Sequence, residues 1–213
     1  MKNKCKNSDN QIIFNSFMEN FILYFRKKLI SLLKVNKIPN ANKILEDNTQ
    51  FVQHEIYLIS VRTLIYEINI WKQDMGDSIL EMSPNERYLA YCTQFKNKDY
   101  FKKFSNQYYV LLEKINRYID NTLVFMGEVF TNLKKDSCEL LFKLDFNEKN
   151  IKSRKFIGEG DSHNHGKKTM MLADGKKKII YKTHSLGSDI FLSEIFNELT
   201  SKITFDLKIT ITL

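Results

Sequence analysis

Apolar side chains recur through much of the chain at the spacing of amphipathic helices. Between residues 12 and 33 they fall three or four positions apart, on one helical face. Pro39 ends this element, and a second apolar stripe runs from about His54 to Lys72, with Gly76 behind it as a stop signal. The pattern therefore predicts two long helices. Their apolar positions are Phe14, Phe17, Met18, Phe21, Ile22, Phe25, Leu29 and Leu33, then Val61, Leu64, Ile65, Ile68 and Trp71.

A helix start is signalled at Ser83. The Ser83 hydroxyl can accept a hydrogen bond from the first free amides of a helix, Glu86 can reach back, and Pro84 suits the first helical position. Helical periodicity continues over residues 108–118 and from about residue 122 to 144. The residues expected in the core of this part are Phe101, Leu111, Leu112, Ile115, Phe125, Val129 and Leu133.

The character of the sequence changes near Asn150. Five of the seven glycines and three of the four histidines follow that residue. The pattern predicts a strand ending near residue 157, a glycine-rich loop, and two strands over 168–173 and 177–183, joined by an Asp174-Gly175 hairpin turn. Ser188 or Asp189 can then cap a last helix. Its apolar stripe contains Ile190, Phe191, Ile195 and Leu199.

These elements together predict an α+β fold. Residues 1–150 form a mainly α-helical N-terminal region, and residues 151–203 form a β-hairpin and a helix that resemble part of a kinase-like small lobe. Residues 204–213 form a divergent tail with the alternating pattern of a strand.

Composition narrows the classes of partner. The formal charge of +8 could suit nucleic acid, but the lysines are mostly scattered along the chain, so we expect no nucleic-acid partner. The three cysteines lack paired spacing, which indicates reduced thiols and a cytoplasmic location. Charged residues interrupt the first apolar segment, so we expect no signal peptide and no transmembrane segment.

The loop from Gly158 to Gly166 contains the residues best suited to chemistry. Its glycines allow tight turns and close approach to a phosphate, and Lys182 ends the following apolar strand, as in a kinase small lobe. An alternative interpretation is a plain hairpin connection with a solvated lysine. A metal site at His163 and His165 would need a third ligand, which the spacing does not identify, so no metal site is predicted.

Several motifs, in order, resemble the N-terminal part of the dehydratase domain of class II lanthionine synthetases (LanM), the enzymes that make lanthipeptides. The likeness extends over residues 56–203. Its motifs are Arg62–Glu67, Ser83–Arg87, Leu133–Asp136 ahead of Phe142, Gly160–Gly166, and Tyr181-Lys182 followed by a capped helix.

The resemblance implies a function and a set of site residues. Members of this family have a dehydratase fold similar to lipid kinases. They use ATP and Mg²⁺ to phosphorylate Ser and Thr of a lanthipeptide precursor peptide, and then eliminate the phosphate to give dehydroamino acids. By the resemblance, Asp161, His163 and Lys182 would be catalytic, and Gly160, Gly166 and Lys182 would contact the nucleotide or phosphate. Zinc belongs to the cyclase domain of full-length members.

The sequence departs from the family at two places. Thr183-His184 stands where the family usually has Pro-Arg, and the segment after Ile203 does not align. We see neither the large lobe with the metal-binding carboxylates nor the cyclase domain, so we expect a truncated fragment that is inactive alone. The alternative is a non-catalytic module that binds the precursor peptide or the rest of a split synthetase.

Overall fold

The computed structural model describes residues 14–156, 168–182 and 187–202, with side chains up to residue 199 in the last range. The expected α+β fold is confirmed, because a helical body is followed by a small sheet and one further helix. The helices are α1 (Asn15–Val35), α2 (Ala41–Met75), α3 (Pro84–Gln94), α4 (Lys98–Gln107), α5 (Tyr109–Lys135), α6 (Ser137–Leu144) and α7 (Gly187–Lys202). Short 3-10 turns cover Gly76–Ile79 and Glu148–Asn150, and the strands are β1 (Ser153–Phe156), β2 (Met170–Ala173) and β3 (Lys178–Tyr181).

Helix α3 begins as predicted. Ser83 Oγ accepts a hydrogen bond from the Glu86 amide at 3.3 Å, and Glu86 Oε2 accepts one from the Ser83 amide at 2.7 Å. Pro84 occupies the first helical position. This reciprocal capping box satisfies two of the amides that every helix start leaves without a partner in the helix.

Helix α2 is longer than predicted, since it starts at Ala41 rather than near His54. Its first half has buried polar side chains that interrupt the apolar stripe. Asn48 Nδ2 donates to the Ile44 carbonyl, and Thr49 Oγ1 donates to the Leu45 carbonyl, each at 2.6 Å. These groups are satisfied inside the helix, so their burial does not leave an unpaired donor.

The predicted stripe of α1 is confirmed, and that of α2 is confirmed in part. The α1 positions are buried or packed against the core. On α2, Leu64 and Ile68 are buried and Trp71 packs against the core, but Ile65 is 50% exposed, so its place in a continuous stripe was wrong. Successive helical residues are about 100° apart, which turns Ile65 away from the face that Leu64 and Ile68 share.

An aromatic cluster holds the N-terminal helices together. Phe17 of α1 lies 5.4 Å from Phe21, 5.2 Å from Phe95 and 5.5 Å from Phe104, measured between ring centroids. Most of these pairs are tilted or edge-on, which is the favoured geometry of aromatic contacts. The cluster therefore ties α1 to α3 and α4.

The three strands form an antiparallel sheet in the order β1-β2-β3. The Asp174-Gly175 hairpin turn is confirmed: Asp174 Oδ1 accepts from the Lys176 and Lys177 amides at 2.8 and 2.7 Å, and Gly175 has a φ of 99°. A glycine is favoured there because L side chains rarely adopt this backbone region. The strands are shorter than predicted, and residues 183–186 lie outside the described residues.

The inner face of the sheet packs on α2 and α5. The Phe156 ring stacks on Phe51 at 4.3 Å and lies 6.2 Å from Phe125, whose ring is also 6.2 Å from that of Tyr181. The Tyr181 hydroxyl accepts a hydrogen bond from Asn132 Nδ2 at 2.7 Å. Sheet and helices therefore share one core, whereas the division into domains at residue 150 stays a prediction.

The last helix starts earlier than its predicted cap. Helix α7 begins at Gly187, so Ser188 and Asp189 lie in its first turn. The apolar residues of its predicted stripe are largely on the surface, with Phe191 62% and Leu199 46% exposed. The divergent tail, residues 204–213, lies outside the described residues.

We predict that Phe156→Ala destabilises the protein by about 2–3 kcal/mol. Phe156 is half-buried, so its truncation should cost less than the truncation of a fully buried Phe. Chemical denaturation followed by circular dichroism measures this change. Phe142→Ala is the control, because Phe142 is 90% exposed and its loss should cost less than about 0.5 kcal/mol. Equal effects of the two substitutions would contradict the assigned packing of the sheet.

Candidate functional site

Strand register places Lys182 at a defined end of the sheet. Met170 pairs with Phe156 on one side and with Tyr181 on the other. The connection between β1 and β2 therefore leaves and re-enters the sheet at the same end at which Lys182 follows β3. The hairpin turn at Asp174 lies at the opposite end.

The predicted loop residues Gly160, Asp161, His163 and Gly166 lie outside the described residues. The roles that the resemblance implies for them therefore stay predictions. The described part of the site consists of the strand ends, Lys182 and the residues that surround them.

Lys182 forms an ion pair that the sequence did not predict. Its Nζ donates to Asp189 Oδ2 at 2.8 Å, and the two side chains are 38% and 30% exposed. The pair joins the end of β3 to the first turn of α7, where a carboxylate is also favoured by the helix dipole. An ammonium has three N–H donors, so Lys182 keeps donors for a further oxygen.

A second lysine lies at the same end of the sheet. Lys168 Nζ is 3.1 Å from Glu55 Oε1 of α2 and 5.0 Å from the centroid of the Phe51 ring. The Lys168 and Glu55 side chains are only 17% and 22% exposed, so this pair is better shielded than an ordinary surface pair. The Glu55 carboxylate also acts on Tyr118. Burial, and to a smaller extent the charge of Glu55, raise the pKa of Tyr118 well above its ordinary value.

Arg154 is a buried cation that the sequence analysis missed. Its side chain on β1 is 1% exposed, and its guanidinium carbon lies 3.9 Å from the centroid of the Phe130 ring. Among the described residues, no acceptor lies within hydrogen-bond distance of its nitrogens. Burial lowers the pKa of Arg154 to about 9. The signal that could have revealed it is strand alternation, which puts Arg154 on the same face as Phe156.

No group of three or more His, Cys, Asp or Glu side chains within the described ranges is arranged to hold a metal ion. No helix within them is both long and apolar enough to cross a lipid bilayer.

The chain matches one known protein family over part of its length. Residues 108–213 match the family described as "Domain of unknown function (DUF4135)", which is associated with lanthionine synthetases. The match covers just under half of the chain and includes α5, the sheet and Lys182.

One curated relative is the lacticin 481/lactococcin biosynthesis protein LcnDR2 of Lactococcus lactis subsp. lactis. It is 24% identical to this chain over 178 residues, which are 83% of the chain. The chain spans only 18% of the length of that relative. These findings support a relation between this chain and lantibiotic biosynthesis proteins, and its place among the class II enzymes stays a prediction.

We predict that Arg154→Met raises the free energy of unfolding by about 1–3 kcal/mol, because a buried cation without a hydrogen-bonded partner costs more than an apolar side chain of similar volume. The lost contact with Phe130 offsets part of this gain. Urea denaturation at neutral pH measures it. The control is Lys155→Met on the exposed side of the same strand, and a destabilised Arg154→Met variant would contradict the prediction.

Proposed function

We propose that the chain acts in lantibiotic biosynthesis as the nucleotide-handling part of a class II dehydratase whose substrate is a precursor peptide. The observation that carries this proposal is the position of Lys182 at the sheet end where the connection between β1 and β2 begins and ends. The relation to a lacticin 481/lactococcin biosynthesis protein supports it.

The proposed chemistry has two steps. ATP, bound with magnesium, would supply the phosphoryl group to a Ser or Thr hydroxyl of the peptide, and ADP and the hydroxyl proton would be released. In the elimination, a base would take the Cα proton, the electron pair of that C–H bond would form the Cα–Cβ double bond, and the Cβ–O bond would break to release phosphate. Both steps need positioning and a cation near the phosphate oxygens. Asp161 and His163 would orient the phosphate or serve the elimination step.

Lys182 fits the role of phosphate contact. Its side chain is partly exposed, and the Asp189 carboxylate fixes its ammonium from one side. The remaining donors can bind a phosphate oxygen. We assign no residue of the described ranges to the magnesium ion. Because the chain spans 18% of the length of its relative, we propose nucleotide binding for it and assign no complete reaction to it.

We predict that the chain binds Mg-ATP and that Lys182→Ala weakens this binding about tenfold, the size of one charge-assisted contact. Titration calorimetry measures the affinity. Lys178→Ala is the matched control, because Lys178 is an exposed lysine at the other end of the same strand. Absence of nucleotide binding, or equal losses in both variants, would refute the assignment of Lys182.

A second candidate function is a non-catalytic module that binds the precursor peptide or the rest of a split synthetase. The observation that favours it is the exposure of the apolar side chains on α7, since exposed apolar patches often mark binding surfaces.

For this candidate we expect a precursor peptide to co-elute with the chain in size-exclusion chromatography and to keep its mass after incubation with ATP and magnesium. Mass spectrometry detects phosphate gain or water loss. A precursor that changes mass would favour the dehydratase, and one that elutes separately would reject the peptide-binding module.

A further inference from the structure

A concave site lies at the end of the sheet opposite to Lys182. It is a cavity of about 550 Å³ between the end of α6, the connection into β1 and the β2–β3 turn. We call it the lysine pocket, after Lys149, Lys152 and Lys176 in its lining. Its volume is in the range of ligand-binding clefts.

The lysine pocket has an excess of positive charge. Among the described residues, no carboxylate pairs with the ammonium groups of Lys149, Lys152 or Lys176, and all three residues are exposed. These three lysines therefore keep their charges available to a ligand.

The carboxylates that line the pocket are already engaged. Asp145 Oδ2 lies 3.2 Å from Lys177 Nζ. Asp174 accepts hydrogen bonds from the backbone amides of Lys177 and Lys176, which lower its pKa. Three lysines thus line the pocket beside two aspartates, of which Asp145 is paired with Lys177 outside the lining, and the remaining excess of positive charge favours an anionic ligand.

Hydrogen bonds hold the walls of the pocket in place. The Lys152 amide donates to the Ala173 carbonyl at 2.8 Å, and Asn40 Nδ2 donates to the Ile151 carbonyl at 2.8 Å. The Lys152 side chain lies directly over Gly175, where an added Cβ would be 2.9 Å from its Nζ. Because Gly175 has no Cβ, the turn leaves room for the Lys152 ammonium. The site is therefore preformed.

The chemistry of the pocket favours carboxylates on a peptide over phosphate or nucleic acid. The Lys176 and Lys177 amides, which could form an anion-binding nest at the turn, are bonded to Asp174. Among the described residues, no aromatic ring lines the pocket, so bases have nothing there to stack on. Its lysines come from separate segments of the chain, which suits several spaced carboxylates.

We propose that the lysine pocket binds an acidic segment of a peptide. As a docking site for the precursor peptide, this assignment rests on the proposed function. The binding itself is independent of nucleotide, because the pocket and Lys182 lie at opposite ends of the sheet.

The test measures fluorescence anisotropy of a labelled acidic peptide, about ten residues long, with the full chain. An analogue with Gln and Asn in place of Glu and Asp is the ligand control. We expect binding of the acidic peptide only, weakened by salt. The triple variant Lys149→Gln, Lys152→Gln and Lys176→Gln should lose about tenfold or more in affinity, since each exposed ion pair contributes modestly.

A matched triple variant controls for net charge. Lys96→Gln, Lys102→Gln and Lys103→Gln removes the same charge from exposed lysines outside the pocket and should change the affinity less than about twofold. Unchanged thermal melts show that both variants fold.

Three outcomes would overturn the proposal: no binding by the unmodified chain, equal losses in the two triple variants, or tighter binding of pyrophosphate or a single-stranded oligonucleotide than of the peptide. The nucleotide assignment is judged by the ratio of affinities between the unmodified chain and Lys182→Ala, and this substitution changes no residue in the lining of the pocket, so the two proposals fail separately.

Discussion

The packing of Phe156 between Phe51 and Phe125 is the contact on which the arrangement of the candidate sites depends. Each strand of the sheet has only four residues, and a sheet of this size gains stability mainly from the surface it covers. The aromatic contacts with α2 and α5 supply that surface. They therefore fix both ends of the sheet relative to the helices, and with them Lys182 and the lysine pocket.

The basic side chains have different surroundings at the two ends and in the middle of the sheet. At one end Lys168 and Lys182 each pair with a carboxylate, which orients their ammonium groups. In the middle Arg154 is buried against Phe130. At the turn end the lysines of the pocket lack such partners among the described residues, so this end presents the larger available positive charge. The net charge of +8 is thus a poor guide to where an anion binds.

The sequence predicted the parts of the fold that depend on local chemistry. The capping box at Ser83 and the turn at Asp174 each need only a few neighbouring residues, and both were found. The start of α2 was missed because Asn48 and Thr49 look like surface residues until their hydrogen bonds within the helix are seen. The pair between Lys182 and Asp189 was missed because it depends on how α7 turns back after β3.

The burial of Arg154 is a further feature that the sequence analysis did not predict. It stands among exposed basic neighbours, Lys152 and Lys155, and composition cannot distinguish it from them. Strand alternation could have done so, once the strand and its inner face were known. Among the candidate site residues, the sequence selected Lys182, whereas the surroundings that orient it come from α7, which no local motif reveals.

The separation of the two sheet ends sets a condition on any peptide that uses both. A four-residue strand is about 13 Å long, so the backbone at the lysine pocket and the backbone at Lys182 are about that far apart. An extended peptide covers this distance with about four residues. A precursor held at the turn end would therefore present to Lys182 a Ser or Thr on the order of four residues from its acidic segment.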